Sequence, residues 1–438
     1  MESPVLPYAG NLWELIHDMA EDPLKVARNH GDLARFQLDQ RMVVLVSRPE
    51  WVGEILVTSS RFFIKSWHLE RIRRLLGKGV LTSEGDFHMQ QRRQVQQAFH
   101  GSRMENYCEA MIEQALVMRE GWKDGQEIDV DREMHRLTLQ IVGKTLFDAD
   151  VGDSQARDVH EAVVEALRIF PWMAAPLGDF FDALPFGPAR RFLRAKAKLD
   201  AILYEVIHSR RQSTADRGDL LSILLTTDGA DGVKMSDEQL RDELMTIFTA
   251  GHETTANALS WTWLLLSRNP EVEERLHEEL DRVLAGRVPR PSDVDALDYT
   301  RCVLAESMRI YPPVFLMGRQ NVETYRIGDY EFAPGTGFFV SPYVSHRDPR
   351  YFPDPERFDP ERFRPEVSEA RPKFCYYPFG AGSRMCLGER FAWSEGILLL
   401  ATLAQRFRLR LRPNFKVRHR ASVVLCPRGE LPMTTLRR

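Results

Sequence analysis

One cysteine of the chain stands in a sequence suited to binding a metal ion. Cys386 lies in the glycine-rich segment Pro378 to Gly388, which runs directly into a helical pattern from Glu389 to Leu403. A thiolate in a glycine-rich turn before a helix accepts backbone N–H bonds, is stabilised by the helix dipole and leaves room for a flat ligand. Zinc is disfavoured because no second Cys or His stands at ligand spacing. The segment therefore predicts a metal-bound thiolate, and a buried structural cysteine is the alternative.

A second candidate segment, Ala250 to Thr255, lies in the middle of a long helical pattern. Ser236 begins a capping box, and apolar or small residues then recur at helical spacing until Asn269 ends the pattern. The pattern predicts one helix of about 32 residues and roughly 48 Å, which must run through the core. Gly251 costs such a helix about 1 kcal/mol relative to Ala. The segment therefore indicates either a packing notch or a local opening of the helix for a ligand.

Two charged patterns have simple structural explanations. Glu306 and Arg309 are three residues apart on a predicted helix, which by itself indicates a surface ion pair worth less than about 1 kcal/mol. Arginines alternate with apolar residues from Arg406 to Arg412. This period of two favours a strand with one solvated face over a basic ribbon for nucleic acid or membrane.

The elements that must position these residues are mostly helices. Strand patterns occur near both ends of the chain, as a hairpin from Leu33 to Asp39 and Met42 to Val46, and as short strands between Val322 and Val340. Helical periodicity fills the middle, and there is no internal repeat or low-complexity tract. We therefore expect a mainly α protein with small β-sheets, folded as a single domain over residues 1–438.

Composition excludes several classes of protein. The 59 Lys and Arg against 63 Asp and Glu give a net charge of −4, which disfavours a general nucleic-acid binder. Five scattered cysteines argue against a disulfide framework and favour a reducing cytosol. The N-terminus lacks a signal-peptide pattern, and the apolar stretch Ala258 to Leu266 is too short to span a bilayer. These features predict a cytoplasmic protein with no membrane span and no nucleic-acid partner.

Taken together, the motifs resemble those of the cytochrome P-450 superfamily. The segment Phe379-Gly-x-Gly-x-Arg-x-Cys386-x-Gly388 is similar to the haem-binding loop of that family. Three other matches follow the family's order, namely Ala250-Gly251-x-x-Thr254, Glu306-x-x-Arg309 and Pro360-Glu-Arg-Phe363. The resemblance covers most of the chain. It implies the cytochrome P-450 fold, with haem between the long central helix and the helix that follows the cysteine loop.

The resemblance assigns cofactor roles to individual residues. Cys386 would be the axial thiolate of haem b, and Arg384 and Arg319 would bind its propionates. Many members have Trp-x-x-x-Arg on an early helix where this chain has His88-x-x-x-Arg92, which implies a further propionate contact. Further cofactor contacts are implied for Phe379, Ala250, Gly251 and Gly388. Glu306, Arg309 and Arg362 would form a buried network.

The resemblance also implies a reaction. Glu253 and Thr254 resemble an acid–alcohol pair that delivers protons to oxygen in a dry pocket. The chain would then be a monooxygenase that inserts one atom of O2 into an apolar substrate by hydroxylation or epoxidation. Because no flavin or nicotinamide fingerprint is present, electrons would come from a separate ferredoxin-type donor, steered to a basic cluster of Arg92, Arg93, Arg384 and Arg390. A peroxide-driven or non-redox haem-thiolate enzyme and a haem-based sensor or carrier remain alternatives.

The substrate is only weakly indicated. By resemblance, the stretches Phe62 to Leu76 and Arg168 to Phe186 would overlie the pocket, and the second is rich in aromatic residues and prolines. The stretches Ala250 to Ser267 and Ser341 to Asp348 are similar to those of bacterial carotene hydroxylases. We expect an apolar small molecule, either a carotenoid, a terpenoid, a fatty acid or a steroid-like compound.

Overall fold

A computed structural model describes residues 8–11, 18–38, 41–99, 101–147, 159, 161–163, 165–166, 187–212, 217–227 and 234–438. Helices predominate and the sheets are small, as predicted. The stretch Arg168 to Phe186, expected to overlie a pocket, lies outside the described residues.

The helices are α1 (Glu21–His30), α2 (Pro49–Gly53), α3 (Trp67–Leu76), α4 (Gly85–Gln96), α5 (Gly101–Gly121), α6 (Val130–Phe147), α7 (Pro188–Arg211), α8 (Leu220–Thr226), α9 (Asp237–Arg268), α10 (Pro270–Leu284), α11 (Asp298–Ile310), α12 (Pro342–Ser345), α13 (Pro365–Ser368) and α14 (Glu389–Ala404). Single helical turns lie at Glu54–Thr58, Ser60–Phe62, Gln97–Phe99, Pro291–Asp295, Pro360–Phe363 and Gly382–Arg384.

The strands are β1 (Tyr8–Asn11), β2 (Leu33–Leu38), β3 (Arg41–Val46), β4 (Phe63–Lys65), β5 (Glu127–Asp129), β6 (Met317–Asn321), β7 (Tyr325–Ile327), β8 (Tyr330–Phe332), β9 (Gly337–Val340), β10 (Phe407–Leu411), β11 (His419–Ala421), β12 (Leu425–Pro427) and β13 (Pro432–Arg437).

The chain forms two compact units, each built from three separate segments. Unit 1 comprises Met1–Arg71, Ala305–Cys386 and His419–Cys426, and unit 2 comprises Ile72–Leu304, Leu387–Arg418 and Pro427–Arg438. The single domain expected over residues 1–438 stays a prediction, and each unit is described by itself.

Unit 1 contains a six-stranded sheet in the order β1-β2-β3-β9-β6-β4. Strands β2 and β3 form the predicted antiparallel hairpin, with Leu33 opposite Val46. Strand β3 pairs in parallel with β9, and β6 pairs antiparallel with both β9 and β4. Buried aromatic rings of β4, β8 and β9 pack edge to face in the core beside this sheet, which fixes β6 in place.

Unit 2 is built around α9, which has the bounds predicted from the sequence. The Ser236 hydroxyl accepts a hydrogen bond from the Gln239 N–H at 3.2 Å, so the predicted N-cap is formed. Helix α9 packs against α6 on one side and α14 on another, and it is buried along most of its length. Such a helix is fixed by its neighbours over many turns, which makes it a rigid platform for side chains.

Arg408 and Arg410, two of the alternating arginines, lie on strand β10 of unit 2 and have half-buried side chains that form ion pairs. The guanidinium of Arg410 lies 2.6 Å from Glu273, and that of Arg408 lies 2.8 Å from Glu274. The expected strand with a solvated face is therefore confirmed. No described helix is both long and apolar enough to cross a membrane.

Candidate functional site

The cysteine loop of unit 1 is held by its own backbone. The Cys386 N–H donates to the Phe379 carbonyl at 3.0 Å, which brings these two residues together. Gly380 and Gly382 both adopt positive φ, 71° and 70°, and a Cβ at Gly382 would lie 2.2 Å from the Leu56 carbonyl oxygen. Glycine is therefore required at Gly382. Cys386 is exposed, whereas the other four cysteines are buried, so the alternative of a buried structural cysteine is wrong.

Two basic residues of unit 1 lie side by side on the sheet. Arg319 of β6 stands directly opposite Lys65 of β4, and both residues are 8% exposed. Two basic side chains directly opposite each other on neighbouring strands attract an anion placed against both of them. This arrangement fits the propionate of a haem. Arg384 ends the turn Gly382–Arg384 and is half-buried, directly before Cys386 in the loop.

The middle of α9 in unit 2 presents one accessible face. Ile247, Gly251 and Thr254 are half-buried and Ala250 is exposed, whereas His252 and other neighbours are buried. The spacing of three and four residues puts the accessible positions on a single side of the helix. Small side chains there leave room for a flat ligand. The α-helix is continuous through Ala250 to Thr255, so the local opening of the helix predicted from the sequence is not observed.

Gly251 and Thr254 also have structural contacts. A Cβ at Gly251 would lie 3.3 Å from a Val142 methyl of α6, so the packing explanation holds for this glycine. The Thr254 hydroxyl donates to the Ala250 carbonyl at 2.7 Å. Its oxygen still has lone-pair capacity to accept a hydrogen bond from the accessible side.

Glu253 lies on a different face of α9 from Thr254. Its carboxylate is buried, 3.5 Å from Nε2 of His135 on α6 and 3.3 Å from Nε2 of His252. Burial works against the charged form, but the two histidines outweigh it and hold the pKa of Glu253 well below its usual value. Glu253 and Thr254 therefore lie on different faces of α9, and their role as an acid–alcohol pair stays a prediction.

His88 and Arg92 lie one turn apart on α4 of unit 2. His88 is buried, and its Nδ1 donates to the Val80 carbonyl at 2.9 Å. The Val80 N–H in turn donates to Glu243 on α9 at 3.0 Å. Arg92 is half-buried. The position of His88 is therefore fixed through a short hydrogen-bonded chain to α9.

Glu306 and Arg309 form a buried ion pair in unit 1. Both side chains are 0% exposed, with Nε to Oε2 at 2.6 Å and Nη2 to Oε1 at 2.8 Å. Arg362 approaches the same carboxylate at 3.4 Å. The surface ion pair indicated by spacing alone is wrong, and the buried network implied by the family resemblance is confirmed.

The helix after the cysteine loop carries a second buried carboxyl. Gly388 is the N-cap of α14, and Glu395 lies two turns further along, 0% exposed. Burial raises the pKa of Glu395 to about 8, partly opposed by the Thr255 hydroxyl. Glu395 is therefore largely protonated at neutral pH.

Sequence reasoning missed two residues of this site. Lys65 has no motif around it, and its place opposite Arg319 depends on a strand pairing across some 250 residues. His135 lies on a helix far from Glu253 in the sequence, and nothing local indicated their contact. His252 stands next to Glu253, so its presence in the motif was a signal available to sequence analysis.

Comparison with known proteins agrees with these features. The family model "Cytochrome P450" matches residues 1–430. The chain is 38% identical to Cyclooctatin synthase of Streptomyces melanosporofaciens over 93% of this chain and 90% of that one. It is 36% identical to Cyclooctat-9-en-7-ol 5-monooxygenase of the same organism, over 88% of this chain and 84% of that one. A crystal structure of the cytochrome P450DA heme domain superposes with a TM-score of 0.90 at 26% identity, covering 100% of this chain and 99% of that one. The chain belongs to the cytochrome P450 family, as a haem-thiolate monooxygenase of bacterial type.

Proposed function

We propose that this monooxygenase binds haem b through Cys386 and oxidises a terpenoid-class substrate with electrons from a ferredoxin-type protein. The observation that carries the proposal is the exposed Cys386 in a loop whose backbone is set by Gly380 and Gly382. Haem iron with a thiolate ligand supplies the chemistry of O–O cleavage. The rest of the proposal concerns what the side chains of this chain do.

The charged side chains hold the cofactor's carboxylates. In unit 1 we assign Arg319, Lys65 and Arg384 to the propionates, because two buried cations side by side stabilise an anion placed against them. In unit 2 we assign His88 and Arg92 to the same role.

The remaining cofactor contacts are apolar or small. Phe379 would pack beside the Cys386 sulfur, and Ala250 and Gly251 would leave space for the flat ring. Gly388 would let the chain turn from the cysteine loop into α14.

Proton delivery is assigned to Thr254 and Glu253. Thr254 lies on the accessible face of α9, where its hydroxyl can accept and pass on a hydrogen bond. Glu253 is ionised and buried behind that face. A carboxylate that takes protons from water and a hydroxyl that orients them together supply what a dry pocket lacks.

The names of the relatives support the choice of substrate class. Cyclooctat-9-en-7-ol, the compound after which one relative is named, is by that name an unsaturated alcohol. Among the apolar classes expected from the sequence, we therefore favour terpenoids. Addition of terpenoid alcohols to the holoenzyme should shift the Soret band, and a panel in which fatty acids or steroids alone shift it would contradict this choice.

The electron donor is assigned to an acidic ferredoxin. Arg93 and Arg390 are exposed on α4 and α14, and the turn after α4 meets α14 where Phe99 packs on Phe391. Reversing both arginines to Glu should slow reduction by the ferredoxin at low salt without changing substrate affinity.

The control for that experiment keeps the same change of net charge. Arg268 and Arg282 are exposed at the end of α9 and on α10, and both are changed to Glu. Equal reduction rates in the two double variants would exclude the Arg93 and Arg390 face.

The axial ligand is tested by Cys386→Ser. This variant should lose the red-shifted Soret band of the reduced carbon-monoxide complex, because a hydroxyl donates less charge to iron than a thiolate. Cys375→Ser, at a buried cysteine of the same unit, should keep that band. A thiolate-type spectrum in Cys386→Ser would refute the assignment.

We also propose a cytoplasmic location and a single functional domain over residues 1–438. The five free cysteines, and an exposed thiol that must stay reduced to bind iron, support the location. The single family model that matches residues 1–430 supports the single functional domain.

A further inference from the structure

Two histidines enclose the Glu253 carboxylate where α6 packs against α9. His135 Nε2 lies 3.5 Å from one carboxylate oxygen and His252 Nε2 lies 3.3 Å from the other. The three side chains are at most 8% exposed. Each oxygen of Glu253 therefore has its own imidazole partner in a dry cluster.

The hydrogen bonds of the two rings set the number of protons in this cluster. Nδ1 of His135 lies 2.8 Å from the Asp131 carbonyl, and Nδ1 of His252 lies 3.0 Å from the Phe248 carbonyl. A carbonyl only accepts, so each Nδ1 carries a hydrogen, and in a neutral ring Nε2 would then be unprotonated. An unprotonated Nε2 would set its lone pair against a carboxylate oxygen. The contact between His135 and Glu253 therefore needs a further proton, held on the ring or on the carboxylate.

The charges around His135 favour placing that proton on its ring. Burial lowers the pKa of His135, but the Asp131 and Glu253 carboxylates outweigh burial and raise it to about 10. The Asp131 carboxylate lies 3.7 Å from Nδ1. Burial raises the pKa of Asp131 itself to about 6, His135 opposes the rise, and Asp129 of β5 adds to it. His135 is thus a buried cation between two carboxylates.

We propose that His135 is a positioning residue that holds Glu253 against α6 as a buried ion pair, so that proton delivery requires this contact to open. The inference rests on the proposed role of Glu253. Thr254 occupies the accessible face of α9, whereas the two histidines hold the Glu253 carboxylate behind it. The ion pair keeps Glu253 ionised, and its release allows the carboxylate to take up and pass on a proton.

The ion pair is tested first by NMR titration of the histidine rings in the holoenzyme. His135 should stay protonated to about pH 9 in the wild type, and Glu253→Gln should lower its proton affinity about tenfold or more. His277 of α10 is a matched buried histidine, since burial lowers its pKa to about 3, and it should not respond. A wild-type His135 that titrates near the ordinary histidine value would overturn the proposal.

The gating role is tested by product formed per reducing equivalent between about pH 6 and 9. In His135→Gln the buried Glu253 loses its cation, so its pKa rises and a new titration limb should enter this range. The wild type and His277→Gln should give flat profiles. A His135→Gln profile that superimposes on the wild type overturns the gating.

Failure of the underlying function gives a different result. If Glu253→Gln keeps the full product yield, both the proposed role of Glu253 and its gating are refuted. The histidine titration then still decides whether the ion pair exists.

Discussion

The buried pair of Glu306 and Arg309 gives the sharpest test of the energetics of unit 1. Both side chains are 0% exposed, and Arg309 uses Nε and Nη2 on Glu306 at 2.6 and 2.8 Å. Its remaining bonds go to backbone carbonyls, of His346 at 2.9 Å and of Arg357 at 3.2 Å. Glu306→Ala therefore leaves a guanidinium cation in a dry site, with backbone carbonyls as hydrogen-bond partners and no carboxylate bonded to it.

The uncompensated charge determines how much unfolding free energy the Glu306→Ala variant loses. Removing one partner of a buried ion pair costs about 3–5 kcal/mol, whereas an exposed pair is worth about 0–1 kcal/mol. We expect the urea midpoint of Glu306→Ala to fall by the equivalent of 3–5 kcal/mol or so, with little holoprotein recovered.

A matched control is the Arg326 and Glu331 pair of the same unit. Its N–O distance is 2.8 Å, but its side chains are 72% and 46% exposed. Glu331→Ala should lower the free energy of unfolding by less than about 1 kcal/mol. Glu306→Gln keeps one hydrogen-bond acceptor for Arg309, so its loss of unfolding free energy should lie between those of Glu306→Ala and Glu331→Ala. It can replace Glu306→Ala in the comparison if that variant does not accumulate. Equal urea midpoints for Glu306→Ala and Glu331→Ala would refute the reasoning.

Three further predictions concern the cofactor and its surroundings. Thr254→Ala should divert reducing equivalents from product to hydrogen peroxide, with a loss of product rate of up to about 10²–10⁴-fold. The control is Thr262→Ala, which removes the same kind of hydrogen bond, from a buried hydroxyl to the carbonyl four residues earlier at 2.7 Å. This control should not change the product yield. Lys65→Met should speed haem transfer to a scavenging protein severalfold because an anion loses a cation, and an unchanged transfer rate would remove Lys65 from the propionate set. In the folded protein, burial raises the pKa of Glu395 from 4.5 to about 8, so the folded state binds this proton more tightly than the unfolded state does. The stability that proton binding contributes is fully present below about pH 4.5 and is lost as the pH rises through 8. Glutamine does not titrate, so the urea midpoint of Glu395→Gln should rise relative to that of the wild type as the pH increases from 4.5 to 8. A difference between the two midpoints that does not change with pH would contradict the raised pKa of Glu395.

Several features could be predicted because they depend on residues close together in the sequence. The bounds of α9 follow from the Ser236 cap and the stop at Asn269. The β2–β3 hairpin follows from alternation on either side of a short turn. The Cys386 loop follows from glycines that the backbone needs at positive φ. Local sterics and hydrogen bonding determine each of these, so the residue types alone are informative.

Other features depend on where distant segments meet. The spacing of Glu306 and Arg309 is the same in a surface pair and a buried one, and only packing of the surrounding segments makes the pair buried. The acid–alcohol motif places Glu253 beside Thr254 in sequence, yet the helix turn puts them on different faces.

The sequence by itself determined the candidate iron ligand, the central helix and the family, because each is encoded in a short run of residues. The tertiary structure alone decided which charges face Glu253 and which cation stands opposite Arg319. His135 and Lys65 come from segments far away in the chain, and electrostatic energy depends on distance in space and on burial. The local spacing of residues specifies neither the distance nor the burial, so only the packing of the helices and strands identifies these partners.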